Sequence, residues 1–136
     1  MAKSYNNIGN VYNSQGKYEE ALKVYTKSLD IKTRIYGGDN HPDVAKSYVG
    51  LGNVYNRQGQ YERALEDYQK ALEIDIKVSG QDSPDVAASY NNIGMVYDSQ
   101  GKYEEALEMH SKLEACMKRE HILSGSLWPP SHVHTQ

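Results

Sequence analysis

SYNNIGNVYNSQGKYEEAL, Ser4 to Leu22, returns almost letter for letter as SYNNIGMVYDSQGKYEEAL at Ser89 to Leu107. A looser copy, SYVGLGNVYNRQGQYERAL, lies between them at Ser47 to Leu65. The copies begin 43 and then 42 residues apart. Self-similarity at such a period marks an array, because one unit cannot bury its apolar face alone and must stack on the next. A stacked array offers a long surface rather than one deep pocket. The pattern therefore points toward holding a partner.

Within each copy the apolar residues keep helical spacing. Tyr5, Ile8, Gly9 and Tyr12 follow i, i+3, i+4, i+7, as do Tyr48, Leu51, Gly52, Tyr55 and Tyr90, Ile93, Gly94, Tyr97. A second helix follows, with Tyr18, Ala21, Leu22, Tyr25 and Leu29 on one face and Tyr61, Ala64, Leu65, Tyr68 and Leu72 on its counterpart. Gly16, Gly59 and Gly101 suit the turns that close the first helices. His41-Pro42-Asp43 and Ser83-Pro84-Asp85 read as helix starts, with proline in the first turn and an acid favoured by the helix dipole. Gly37-Gly38 and Gly80 end second helices. The predicted helices run near 2–15, 18–36, 42–58, 61–79, 84–100 and 103–122, and no strand pattern competes.

Gly9, Gly52 and Gly94 stand inside helices, where glycine costs about 1 kcal/mol against alanine. Ala21, Ala64 and Ala106 recur opposite, so the expectation is two helix backbones drawn close, small residue against small residue. Twelve tyrosines and no phenylalanine fit thin layers, with the ring buried and the hydroxyl reaching water or a partner.

Composition narrows the function. The chain has 136 residues, 38% of them hydrophobic, a mean hydropathy of -0.77 and a formal charge of -3. No basic block gathers phosphates, which argues against nucleic acid as a partner. No run approaches the ~20 apolar residues that cross a bilayer, so a membrane role is not expected. Cys116 stands alone, which excludes an internal disulfide and fits a reducing, cytoplasmic setting. Paired carboxylates, a Ser/His/Asp set, a phosphate loop and metal-ligand spacing are all missing, so neither an enzyme nor a cofactor is expected. Glu19-Glu20 and Glu104-Glu105 read as solvated acids at helix starts.

The repeated residues resemble the tetratricopeptide repeat, a helix–turn–helix unit of roughly 34 residues. The signature falls on Tyr5, Ile8, Gly9, Tyr12, Ala21, Tyr25 and Ser28, then on Tyr48, Leu51, Gly52, Tyr55, Ala64, Tyr68 and Ala71. In the third copy it falls on Tyr90, Ile93, Gly94, Tyr97 and Ala106; His110 takes the aromatic place, and Leu113 either takes the small-residue place or reports a one-residue deletion. The longer period and the HPDVA segment at His41–Ala45 look like the subclass of kinesin light chains and nephrocystin-type proteins. The resemblance implies an all-α fold, an α-solenoid of three helix–turn–helix units in a right-handed superhelix. The units would span 2–44, 45–86 and 87–122, with an irregular tail over 123–136.

In that family the first helices line the concave side. One step round from the packing stripe lie Lys3, Asn6, Asn10 and Asn13, then Lys46, Val49, Asn53 and Asn56, then Ala88, Asn91, Met95 and Asp98. Asn7 and Asn92 lie in the neighbouring row, which continues through Ser14, Arg57 and Ser99. Asparagine is a poor helix-interior residue, because its side chain competes for backbone hydrogen bonds. A column of amides that donate and accept would grip the main chain of an extended peptide without demanding a sequence. The candidate peptide-binding residues are Asn6, Asn10, Asn13, Lys46, Val49, Asn53, Asn56, Arg57, Asn91 and Met95. The first and third copies differ only at Asn10/Met95 and Asn13/Asp98, both on this stripe. Such divergence suits either contact with something irregular or drift on a solvated face.

The family also contains clamps for a chaperone's terminal carboxylate, but this chain has Asn6, Gly50, Ala88 and Asn92 where the clamp's Lys, Asn, Lys and Arg would be; only Asn10 matches, and the cations such a site needs are missing. The kinesin-light-chain resemblance implies acidic peptides with an aromatic anchor, met by Lys3, Lys46 and Arg57 and floored by Val49 or Met95. Ser124–Pro130 reads as tail, within which Leu127-Trp128 would dock or stay loose, and His132 and His134 do not make a metal site. Without a polar cap, the chain reads either as a fragment of a longer array or as a short protein that pairs end to end into a homo-oligomer through its end faces.

Overall fold

The computed structural model describes residues 2–38 and 40–123, with side chains for 5–38 and 40–119. Six helices follow in order: α1 (Ala2–Ser14), α2 (Tyr18–Tyr36), α3 (Pro42–Arg57), α4 (Tyr61–Ser79), α5 (Pro84–Gln100) and α6 (Tyr103–Leu123). Each ends within one residue of its predicted limits, and the described residues hold no strand. Each helix packs on its chain neighbours, and α1 also touches α3. The result is an α-solenoid of three stacked hairpins. The expected tail beyond Leu123, with Trp128, His132 and His134, lies outside the described residues.

Local chemistry sets the limits. Pro42 and Pro84 open α3 and α5, where no donor is lost. His41 Nδ1 accepts from the Asp43 amide at 3.1 Å, and Ser83 Oγ accepts from the Val86 amide at 3.3 Å. After each first helix the chain reverses through a left-handed glycine: Gly16, Gly59 and Gly101 have φ of 78°, 78° and 77°, a region a Cβ would oppose.

The core alternates between hairpins and their junctions. Ala21 and Tyr25 of the first hairpin pack with Leu51 and Val54 of α3; Ala64 and Tyr68 of the second pack with Ile93 and Val96 of α5. Leu51, Val54, Ile93 and Val96 are each at most 7% exposed. Their equivalents in α1, Ile8 and Val11, are 43% and 56% exposed, because no hairpin precedes α1 among the described residues. The same holds at the other end. Leu22 and Leu65 are half-buried against the next hairpin, whereas Leu107 is 66% exposed.

The helical glycines do not face the alanines as expected. A Cβ on Gly9 would lie 2.8 Å from the Tyr25 ring, on Gly52 2.7 Å from the Tyr68 ring, and on Gly94 2.9 Å from the His110 ring. Gly50 of α3 closes on the same Tyr25 ring from the next hairpin. Glycine here makes room for an aromatic ring, and Ala21, Ala64 and Ala106 fill separate buried positions.

Cys116 packs with Val86 and Ala87 as Ile74 packs with Val44 and Ala45, an ungapped register that puts Leu113 in the small-residue place of Ser28 and Ala71. A larger side chain fits there because α6 has no further hairpin to meet among the described residues. Cys116, three residues on, is buried with Val86 and Ala87.

Candidate functional site

The inner edges of α1, α3 and α5 and the C-terminal ends of α2 and α4 enclose a groove of about 710 Å³. Of the candidate residues, Asn6, Asn10, Lys46, Val49 and Asn53 line it, joined by Asn7 and Asn92. The other candidates lie elsewhere. Asn13 is buried, and its Oδ1 has no hydrogen-bond partner among the described residues. Asn56 is half-buried, and the Arg57 guanidinium lies 6.0 Å over the Tyr18 ring. Asn91 donates to Met95 Sδ at 3.6 Å, and both are exposed outside the groove lining. The Lys3 side chain lies outside the described residues.

The groove asparagines are held from behind. Tyr25 Oη donates to Asn10 Oδ1, and one repeat later Tyr68 Oη donates to Asn53 Oδ1. Burial pushes both phenols above their ordinary range, so they stay protonated donors. The Tyr25 and Tyr68 hydroxyls therefore donate their protons within the array. They engage the oxygen end of each amide and leave its Nδ2 end to donate elsewhere. Asn6 is held differently, its Oδ1 accepting from Ser47 Oγ at 3.3 Å.

The divergence between the first and third copies coincides with a change at this pairing. Where tyrosine becomes His110, the asparagine in front of it becomes Met95, and Asp98 takes a His110 nitrogen at 3.3 Å. Both changes therefore lie beside a change in the second helix.

Charge at the groove floor went unread in the sequence. Lys32, 4% exposed, donates its ammonium to Asp43 O at 3.1 Å and Ser47 Oγ at 3.4 Å. Burial lowers its pKa, and Asp43 opposes that shift. Burial works against the Asp43 carboxylate, but the Tyr36 hydroxyl, donating at 2.9 Å, and Lys32 hold its pKa below the usual value. Asp75, 5% exposed, is pushed up to about 6 by burial and by Asp85, with Lys46 opposing. The available signal was a charged residue continuing the packing face, at 32 after Tyr25 and Leu29 and at 75 after Tyr68 and Leu72. The floor is mixed in sign and does not form the cationic field that acidic peptides would favour. No helix among the described residues is long and apolar enough to cross a membrane.

Comparison with known proteins places this geometry. A family profile described as tetratricopeptide repeat matches residues 1–75 and again 43–119. Among solved structures, BtubC (BKLC) from P. vanneervenii superposes with a TM-score of 0.80 at 27% identity, over 88% of this chain and 46% of that one. The nearly identical TPR-like repeats of a Podosopora anserina kinesin light chain superpose at 0.73 with 22% identity, over 85% and 55%. The TPR domain of Arabidopsis FLU superposes at 0.75 with 21% identity, over 87% and 95%. The chain thus spans about half the length of the first two. A search of curated proteins found no significant match. With the profile running from 1 to 119 over six helices paired as three hairpins, the chain belongs to the tetratricopeptide repeat family.

Proposed function

We propose that the chain is a non-enzymatic interaction module that holds an extended segment of a partner protein along the groove of α1, α3 and α5. Repeats of this family generally serve as protein-binding scaffolds, and the groove specialises that role. One observation carries the reading: Asn10 and Asn53 line the groove with their oxygens already engaged by Tyr25 and Tyr68. Fixed amide donors repeating along a groove suit the carbonyls of an extended main chain, and the amides are oriented before any ligand arrives. Asn6, Lys46 and Val49 line the same path. A single buried cysteine is compatible with a reducing, cytoplasmic setting.

A second reading has its own support. Ile8 and Val11 at one end and Leu107 at the other expose positions that are more buried at equivalent places inside the array. Copies stacked end to end would cover them. The two readings part cleanly. With a partner captured from lysate and identified by mass spectrometry, Asn10→Ala/Asn53→Ala abolishes capture and Ile8→Glu/Leu107→Glu leaves it intact under the groove reading. Under end-face assembly the outcomes reverse, and light scattering of the concentrated wild type shows species larger than a monomer.

A further inference from the structure

The two junctions of this array follow one template and differ in charge. At the first, Lys32 lies buried on the groove floor, its ammonium held by the Asp43 carbonyl and the Ser47 hydroxyl. The equivalent positions at the second junction are Asp75, Asp85 and Ser89, all lining the groove. The acceptors are kept, and the cation is exchanged for a carboxylate. Lys46, a second cation of the first junction, becomes Ala88.

Asp75 is 5% exposed and makes no hydrogen bond or ion pair among the described residues. Lys46 acts on it at a distance, and Lys46 lies 4.0 Å from Asp43. A buried carboxylate without a partner is costly, and the usual remedy is a cation with hydrogen bonds. Among the described residues the first junction supplies its own ammonium; the second does not.

Resting on the groove reading above, we propose that the second junction binds a cationic side chain of the partner, a lysine ammonium or arginine guanidinium, between Asp75, Asp85 and Ser89. The ligand's ammonium would occupy the place that Lys32 Nζ fills one repeat earlier. This gives the groove a direction. The bound segment lays a lysine or arginine at the α4/α5 end, and the asparagines of α1 and α3 hold its main chain.

An array of immobilised nonapeptides tests this, each random over uncharged residues at eight positions and fixed at the fifth as lysine, arginine, norleucine or glutamate. The lysine and arginine sets should bind about tenfold more tightly than norleucine, as expected for hydrogen bonds to a charged group. Asp75→Asn should erase that advantage and leave norleucine binding unchanged. Equal binding of all four sets overturns the cation site and leaves the groove standing; no binding of any set overturns both. A peptide-free arm uses Asp75→Lys, which restores the first junction's arrangement. It should raise Tm above that of Asp75→Asn, and a lower Tm shows that the acceptors are not placed as the template requires.

Discussion

A methyl group on Gly52 would stand 2.7 Å from Cε1 of Tyr68, a ring that is itself buried. In an open helix, alanine in place of glycine gains about 0.5–1 kcal/mol. Here the ring must shift, and overpacking of this kind costs about 1–3 kcal/mol. Packing should win, and urea unfolding of Gly52→Ala should show a net loss of about 1 kcal/mol or more. Asp75 sets the other residue-scale prediction. Its folded pKa, about 6, lies above the unfolded value near 3.8. The folded state therefore holds the proton more tightly, and stability falls as pH rises from about 4 through 6. Asp85 adds to this shift and Lys46 opposes it. Asp75→Asn should be more stable than wild type by about 1–3 kcal/mol at pH 7.5, with the gain gone at pH 4. Urea titrations at the two pH values check the sign.

At the scale of a helix pair, the third hairpin departs from the other two. Tyr25–Asn10 and Tyr68–Asn53 are hydrogen-bonded pairs, and the third place holds His110 and Met95. If the pair is a unit, His110→Tyr with Met95→Asn should be more stable than the sum of the single changes. The coupling should be about 0.5–1 kcal/mol, read from a double-mutant cycle. Helix limits were legible because proline, glycine and the apolar period all mark the same boundaries. The partner of each inward asparagine was not legible, because fifteen residues separate Tyr25 from Asn10. Periodicity assigns a face and not a contact. Asn13 and Asn10 share a stripe in the sequence, yet one is buried and the other lines the groove. Asp75 and Lys32 stayed hidden because they belong to second helices, whose C-terminal ends reach the groove floor.

Over the whole molecule, stability is a sum over neighbouring hairpins, so equivalent positions differ by place in the array. Leu51 is buried at a junction and Ile8 is exposed at an end. Leu51→Ala should cost about 2–4 kcal/mol. Ile8→Ala should cost less than about 1 kcal/mol, as expected where little apolar area is buried. Chemical denaturation of the two variants separates an array from a single closed core, which would make the two losses alike. The concave groove is the central claim, and amide and side-chain NMR shifts on adding the captured partner's binding segment test it most directly. The account predicts perturbations concentrated at Asn6, Asn10, Asn53 and Asn92, with Ile8, Val11 and Leu107 unmoved. Shifts confined to those three end-face residues, with the groove asparagines silent, would contradict it.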